Sequence, residues 1–177
     1  MAIEFNHSFA MPNQWTFSIK PVGLFVKKHK TPGFWIDPFA GCFSPAEITN
    51  DINPDRKTTH NLDALEFLKM FETGSVDGVL FDPPYSPRQL KECYDDIGLS
   101  LHDSKSSVWS AWRDEIARIL KPQGVCLSFG WTSGGLGKGR GFEKTHISLV
   151  NHGGQHNDTI CVREFKFQTS LFTQGGE

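Results

Sequence analysis

The sequence predicts an α/β protein with a mostly parallel sheet that ends in an antiparallel β-hairpin. Short apolar runs closed by turn residues alternate with amphipathic helical patterns along most of the chain. Two further strand-like runs near the carboxyl terminus flank a tight turn. The first pattern is typical of parallel βαβ units and the second of a hairpin. At 177 residues the chain has the length of a single domain, residues 1–177.

Apolar runs bounded by Gly, Pro, Asn and Asp predict the strands. Residues 76–81 (VDGVLF) form the clearest of them, and two prolines follow close behind. The last two strands are joined by HGGQHND, where His152 and His156 are expected to stabilise a turn and not to bind a metal. The predicted strands are residues 33–39, 48–51, 76–81, 124–129, 146–150 and 159–167.

Capping residues and apolar stripes predict three helices. Asp63 begins the first, with Glu66 three residues later, and Ser86 begins the second, with Pro87 and Gln89 in its first turn. The third covers residues 106–120, and residues 22–26 are compatible with either a helix or a strand. The apolar faces of the three helices, in chain order, are Leu65, Leu68 and Phe71 in the first, Leu90, Cys93, Tyr94 and Ile97 in the second, and Val108, Trp112, Ile116 and Leu120 in the third.

Composition excludes several classes of protein. Apolar residues make up 38% of the chain, with 15 Phe and 5 Trp, which excludes intrinsic disorder. No apolar run approaches the roughly 20 residues of a membrane helix, and the amino terminus lacks a secretory signal, so we expect a cytoplasmic protein. The net charge of −2 argues against coating nucleic acid non-specifically. The four cysteines (Cys42, Cys93, Cys126 and Cys161) are expected to be small core residues in a reducing compartment.

Acidic residues stand at the ends of three predicted strands. Asp37-Pro38 and Asp82-Pro83 each close a strand, and Asp51 closes another. In parallel sheets ligands bind beyond the carboxyl ends of the strands. These acids therefore predict a binding site at that edge of the sheet.

Asp82-Pro83-Pro84-Tyr85, which we call the elbow (residues 82–85), is the strongest motif. A plain proline turn requires neither an acid at the strand end, nor an aromatic residue after the prolines, nor an immediate helix start. All three are present, which favours a functional interpretation over a turn.

With this motif the sequence resembles the DPPY class of S-adenosylmethionine-dependent amino-methyltransferases, of the N6-adenine DNA type, over about residues 34–168. The resemblance implies a Rossmann-like class I methyltransferase fold and methylation of the N6 amine of adenine in DNA. It implies that Asp82 and the carbonyl of Pro83 accept the two amine N–H groups, so that the nitrogen lone pair localises. Pro84 would stiffen the elbow, and Tyr85 would stack on a base flipped out of the duplex.

The resemblance also implies an S-adenosylmethionine site. The run 37–41 (DPFAG) resembles the first cofactor motif of the class. Asp51 stands where the family places an acid that binds the ribose hydroxyls. Asp63 and Ala64 stand where an acid or amide of the family meets the adenine ring of the cofactor. The candidate cofactor residues are Asp37, Pro38, Phe39, Ala40, Gly41, Asp51, Asp63, Ala64 and Lys20.

Residues 1–33 precede the first predicted strand and resemble a cofactor-proximal segment. In that position Thr16, Phe17 and Lys20 would meet the methionine moiety, although packing of Trp15 and Phe17 on the core is the favoured alternative. The sequence departs from the family between Gly41 and Thr49, because a parallel crossover usually takes about 10–12 residues or more. The first crossover helix is therefore predicted to be a single turn or absent.

The expected partner is nucleic acid, DNA before RNA. The glycine-rich residues 131–143 form a predicted mobile loop beside the cleft that contacts phosphates, although a plain surface loop fits equally well. No separate target-recognition domain is expected, and only residues 98–107 with the next helix are a candidate for that role, so a homodimer or a recognition partner is possible. The candidate substrate residues are Arg88, Trp131, Lys138 and Arg140.

Other functions stay open at this point. An RNA base amine, including guanine, or the N4 amine of cytosine would use similar chemistry, and glutamine methylation in proteins is less favoured. A non-catalytic nucleic-acid or partner-binding module on a methyltransferase fold is the alternative from another class. The short first crossover lends it some weight, whereas the intact elbow and the acid at Asp51 argue against it.

Overall fold

The structure is a computed structural model that describes residues 2–99 and 107–167. Seven strands form one sheet in these residues, in the order β1-β6-β7-β5-β4-β2-β3. The strands are β1 (Glu4–Phe9), β2 (Trp35–Asp37), β3 (Ile48–Thr49), β4 (Val76–Phe81), β5 (Leu120–Gly130), β6 (Phe142–Asn151) and β7 (Thr159–Lys166). The α-helices are α1 (Lys20–His29), α2 (Ala64–Lys69), α3 (Pro87–Asp95) and α4 (Ser107–Ile119).

Strand direction confirms the predicted sheet. Every neighbouring pair is parallel except those of β7, which runs antiparallel to both β5 and β6. The carboxyl ends of the other six strands therefore lie at one edge, which we call the carboxyl edge. The hairpin predicted at the end of the chain is β6 and β7. Its turn contains His152, whose ring nitrogens bond the carbonyl of Ala10 and the hydroxyl of Thr159, which confirms a turn-stabilising role.

The sheet is covered on both faces. Residues of β4 alternate between two apolar clusters, with Val79 and Phe81 in one and Leu80 in the other, as the two-residue period of a strand requires. Helices α2 and α4 cover the first face, and α1 covers the second. The result is a three-layer α/β/α arrangement.

The first crossover contains no helix. Residues 38–47 connect β2 directly to its parallel neighbour β3, and Asn50 donates its N–H to the carbonyl of Asp37 at 2.8 Å. This confirms the prediction drawn from the short spacing. β3 itself has only two residues, fewer than predicted, and Asn50 pairs beyond it as an isolated bridge with His60.

Three findings differ from the sequence analysis or add to it. β1 was not predicted, because its side chains are largely exposed and it is held by backbone pairing to β6. The segment at 22–26 belongs to a helix, α1. Cys126 and Cys161 are buried as predicted, but the prediction was wrong for Cys42 and Cys93, which are exposed. Cys42 lies in the loop after β2, and Cys93 lies on α3, where only Leu90 is buried.

Two further observations concern partners. No helix of residues 2–99 and 107–167 is long and apolar enough to cross a bilayer. Within the same residues no group of three His, Cys, Asp or Glu side chains is arranged to hold a metal ion. Most of the candidate recognition segment at 98–107 lies outside the described residues.

Candidate active site

The elbow leaves the carboxyl edge at the end of β4 and leads directly into α3. Ser86 caps α3 as predicted, because its Oγ accepts a hydrogen bond from the N–H of Gln89 at 3.2 Å. The side chain of Gln89 then reaches back one residue further than a capping box requires. Its Oε1 accepts from the N–H of Tyr85 at 2.7 Å, which fixes the end of the elbow to the helix.

Helix α4 holds the elbow from the other side. Nε1 of Trp109 donates a hydrogen bond to the carbonyl of Pro84 at 2.9 Å. With Gln89 on one flank and Trp109 on the other, a short proline-rich turn becomes rigid. The sequence analysis missed Trp109, although it stands directly after Val108 in the apolar stripe predicted for this helix.

Asp82 and Tyr85 are bonded to each other. The phenolic hydroxyl of Tyr85 donates to Oδ1 of Asp82. Burial raises the pKa of Asp82, while hydrogen bonds from the side chains of Tyr85 and Thr16 oppose that rise. The pKa of Tyr85 is also raised, by burial and by the neighbouring carboxylate. The tyrosine therefore stays protonated and serves as a donor.

A cavity of about 560 Å³ opens at the carboxyl edge beside the elbow. That volume lies in the range of about 300–1,000 Å³ that is typical of ligand pockets. It is bordered by the elbow, by the loops after β2 and β3, by α3 and by the segment before α1. Its lining includes Thr16, Pro38, Phe39, Gly41, Asn50, Asp51, Ala64, Asp82, Tyr85 and Tyr94.

Asn50 joins the loops that form this cavity. Its Nδ2 donates to the carbonyls of Pro38 and Leu62 at 3.1 and 3.0 Å, and its Oδ1 accepts from the N–H of Leu62 at 2.9 Å. The residue is fully buried. The sequence analysis did not single out Asn50, because an isolated asparagine after a strand carries no signal of its own.

Asp51 lies at the wall of the cavity. Its Oδ2 accepts from the N–H of Gly41 at 3.0 Å, and its Oδ1 accepts from the N–H of Asn53 at 2.9 Å. Gly41 has a φ of +54°, and a Cβ there would lie 3.3 Å from the ring of Trp15. The turn therefore needs glycine, because its φ is positive and the ring of Trp15 lies close.

Asp37 lies beneath the same loop and not on the cavity surface. It is fully buried, its Oδ1 accepts from the N–H of Phe39 at 2.9 Å, and its Oδ2 has no partner among the described residues. Burial raises the pKa of Asp37 to about 7, and the charges of Asp82 and Asp51 add to that rise. The bond of Asp37 to the N–H of Phe39 shapes the loop.

The other candidate cofactor residues divide between two positions. Pro38, Phe39 and Ala64 line the cavity, whereas Ala40 is buried behind it. Asp63 caps α2 as predicted, with its Oδ1 accepting from the N–H of Leu65 at 2.8 Å and its Oδ2 from the hydroxyl of Tyr94.

Only some residues of the segment before α1 and of its first turn line the cavity. Thr16 lines the cavity beside Asp82, while Phe17 packs edge-on against Phe129 in the core. Trp15 contacts Phe43 and also lines the cavity. Lys20 is exposed at the start of α1 and does not reach the cavity.

A second cavity, of about 370 Å³, lies on the other side of the elbow. Pro83, Pro84 and Tyr85 line both cavities, so the elbow forms the wall between them. Trp131 lines the second cavity, with its ring centroid 5.5 Å from that of Tyr85 in an edge-to-face contact. Trp131 is thus the one predicted substrate residue outside the elbow that the structure brings to a cavity of the site.

The other three predicted substrate residues line neither cavity. Arg88 is exposed on α3 and pairs with Glu92, and Arg140 pairs with Asp114 of α4 at 2.6 Å. The segment that carries Lys138 crosses from the end of β5 to the start of β6, at the opposite edge of the sheet.

This crossover is also fixed to the sheet. The carboxylate of Glu164 accepts from the N–H groups of Leu136 and Gly137 at 2.6 and 3.1 Å, and Leu136 is buried. The first part of the predicted loop lies beside the cleft, because Trp131, Thr132 and Gly135 line the second cavity. The later part, with Lys138 and Arg140, leads to the start of β6, because β7 lies between β5 and β6 and the connection must pass across it. A contact of Lys138 or Arg140 with nucleic acid stays a prediction.

No protein-family model and no curated protein sequence matches this chain. Solved structures match it in fold. The 1,6-didemethyltoxoflavin-N1-methyltransferase of Burkholderia thailandensis, with 1,6-didemethyltoxoflavin and S-adenosylhomocysteine bound, matches with a TM-score of 0.54 at 11% identity, over 82% of this chain and 76% of that one.

Two further solved structures are similar. TrmN from Thermus thermophilus has a TM-score of 0.54 at 18% identity, over 83% of this chain and 49% of its own. The N-methyltransferase NodS from Bradyrhizobium japonicum has a TM-score of 0.51 at 10% identity, over 84% and 93%. Together with the sheet order, these similarities show that the chain has the Rossmann-like fold of the class I methyltransferases.

Proposed function

We propose that this protein is an S-adenosylmethionine-dependent methyltransferase that methylates an exocyclic base amine of nucleic acid, the N6 amine of adenine in DNA. The observation that carries the proposal is the position of the elbow between two cavities. A methyl donor on one side and an acceptor base on the other would meet at Asp82 and the three residues after it. The fold supports the same conclusion, because its solved neighbours include methyltransferases.

The larger cavity fits S-adenosylmethionine. Asp51 offers carboxylate oxygens to the ribose hydroxyls, and Gly41 lets the backbone approach the ligand closely. Phe39 and Ala64 add apolar surface for the adenine ring. The bound cofactor supplies an electrophilic methyl group on a sulfonium sulfur.

The elbow prepares the acceptor nitrogen. An exocyclic amine is a weak nucleophile because its lone pair is delocalised into the base. Asp82 accepts an amine N–H in place of the Tyr85 hydroxyl, and this charge-assisted hydrogen bond draws the lone pair back onto the nitrogen. The bonds from Gln89 and Trp109 fix the elbow beforehand, so little reorganisation is needed during the reaction.

A radiolabelling experiment tests this function. Purified protein is incubated with methyl-labelled S-adenosylmethionine and with separate pools of DNA and RNA, which are then digested to nucleosides. We expect label in N6-methyldeoxyadenosine from wild-type protein. Asp82→Ala is expected to give none, with its binding of S-adenosylmethionine retained.

The other outcomes separate the alternatives. Label in a base amine of RNA only would assign an RNA base amine as the substrate, and label in N4-methylcytosine would assign the N4 amine. A binding module without activity would give no label in either pool. In that case thermal melting decides whether the cofactor binds, since a ligand at 100 times its Kd stabilises a protein by about 2.7 kcal/mol.

A further inference from the structure

The second cavity has aromatic walls and a single arginine among its lining residues. Trp109, Tyr85 and Trp131 line it, and Trp131 is 40% exposed. Arg113 of α4 lines the same space one helical turn beyond Trp109. A slot of flat aromatic rings around one guanidinium suits a planar heterocycle that offers hydrogen-bond acceptors.

Arg113 has a buried hydrogen-bond donor that the described residues do not satisfy. Its Nε is buried and has no partner among them. Glu164, whose charge reaches Arg113, is already engaged by the N–H groups of Leu136 and Gly137. Burial and the nearby charge of Arg140 both lower the pKa of Arg113.

Two other arginines show what a structural arginine looks like in this protein. Arg118 bonds Glu115 and the carbonyls of Leu68 and Phe71, and so ties α4 to the end of α2. Arg140 bonds Asp114 and the hydroxyl of Ser110. Arg113 makes no such bond within the described residues, although three of those partners (Ser110, Asp114 and Glu115) lie on the same helix. Leaving the buried Nε–H of Arg113 without an acceptor is costly, and a bound ligand would offset that cost.

We infer that Arg113 determines base specificity on the acceptor side, by donating hydrogen bonds to a ring acceptor of the target base beside the reacting amine. The inference rests on the proposed function. A guanidinium has five donors and no acceptor, so it pairs with ring nitrogens or carbonyl oxygens and excludes ring donors. In adenine the acceptors that flank the N6 amine are N1 and N7. The apolar walls favour a base in this slot over a phosphate, which carries a full charge.

Oligonucleotides with altered adenines test the contact. The probes are (dA)12 and its counterparts built from 7-deazaadenine and from 1-deazaadenine, each of which lacks one flanking nitrogen. Arg113→Met is expected to lower kcat/KM on (dA)12 by roughly 10- to 100-fold, the range for a side chain that reads a base edge. Wild-type protein is expected to lose a similar factor on one of the two deaza substrates.

The decisive result is non-additivity. On the deaza substrate that lacks the acceptor, Arg113→Met is expected to behave like wild-type protein, because the contact is already gone. Arg113→Lys distinguishes a base edge from a phosphate as the hydrogen-bond acceptor. A phosphate accepts lysine as a point charge, whereas a base edge requires the planar fork, so full activity of Arg113→Lys would overturn the inference.

The controls distinguish this inference from the proposed function. Lys69→Met removes an exposed charge on α2 that lines neither cavity, and its kcat/KM is expected to equal that of wild-type protein. A thermal shift with S-adenosylmethionine verifies that each variant folds. If wild-type protein methylates (dA)12 and Arg113→Met does so equally well, only the role of Arg113 is overturned. If wild-type protein methylates no nucleic acid, the proposed function fails as well.

Discussion

The hydroxyl of Tyr85 donates a hydrogen bond to Oδ1 of Asp82, so the acid at the end of β4 is satisfied within its own elbow. The same oxygen is the one that the proposed reaction requires as an acceptor. An arriving amine therefore exchanges one hydrogen bond for another and does not have to desolvate a bare carboxylate. This exchange leaves Asp82 ready for the amine without leaving a buried charge unpaired in the free protein.

Asp82→Asn tests the carboxylate while keeping its shape. We expect kcat for base methylation to fall by at least about 100-fold, the loss seen when one preorganised electrostatic contact is removed. The amide keeps one acceptor oxygen but loses the charge that strengthens its bond to the amine. The affinity for S-adenosylmethionine, measured by titration calorimetry, is expected to change little.

Asp95→Asn is the matched control for Asp82→Asn. Asp95 is exposed on α3 and pairs with Lys91 on the surface, where such pairs contribute little. We expect wild-type activity from this variant. Equal activity of Asp82→Asn and Asp95→Asn would contradict the role given to the elbow.

Tyr85→Phe tests the bond within the elbow through the pH dependence of the reaction. The hydroxyl of Tyr85 lowers the pKa of Asp82 by bonding the ionised form, so its loss raises that pKa. Activity that requires ionised Asp82 is lost as the pH falls through this pKa. We therefore expect the acidic limb of the profile of kcat/KM against pH to move to higher pH in Tyr85→Phe. An unmoved acidic limb would show that the limb belongs to another group.

Asp37→Asn tests the buried carboxyl group beneath the cofactor loop. The pKa of Asp37 is raised by burial to about 7 in the folded protein, against an ordinary value of 3.8. The folded state therefore holds the extra proton between these values, and wild-type stability is fully present below about pH 4 and falls as the pH rises towards 7. The slope for one such group approaches about 1.4 kcal/mol per pH unit. Asp37→Asn removes this contribution to the pH dependence of stability.

The measurement for Asp37 is urea denaturation of wild type and Asp37→Asn at several pH values from 4 to 8. The difference between the two free energies of unfolding is expected to move steadily in favour of the variant as the pH rises, and to level off above pH 7. Parallel curves for the two proteins across this range would mean that the folded and unfolded pKa values of Asp37 are the same.

Asn50→Ala tests the residue that joins the cofactor loops. The change removes three hydrogen bonds and leaves the carbonyl of Pro38 and both backbone groups of Leu62 without their partner. Each buried polar group left without a hydrogen-bond partner costs about 1–3 kcal/mol, so we expect a loss of roughly 3 kcal/mol in the free energy of unfolding. Asn6→Ala, on the exposed strand β1, is the control and is expected to change stability by less than about 0.5 kcal/mol. Equal effects of the two changes would remove Asn50 from the framework of the site.

The sequence by itself determined the local elements and the edge at which the site lies. The strand at 76–81 was predicted with its observed bounds, and the caps at Asp63 and Ser86 bond as predicted. These features depend on residues close together in the chain, such as an apolar run, a capping side chain or a proline. The missing crossover helix followed from spacing alone, because a few residues cannot cross a sheet face as a helix.

The tertiary structure decided which side chains meet. Trp109 reaches Pro84 across 25 positions of the chain, and Arg113 enters the second cavity from a helix whose sequence shows only an amphipathic pattern. The strand β1 depends on its distant partner β6, and Lys138 was carried to the far edge by the path around β7. Such contacts arise from packing between elements, and a linear pattern records the face that a residue occupies but not the residue that it will face there.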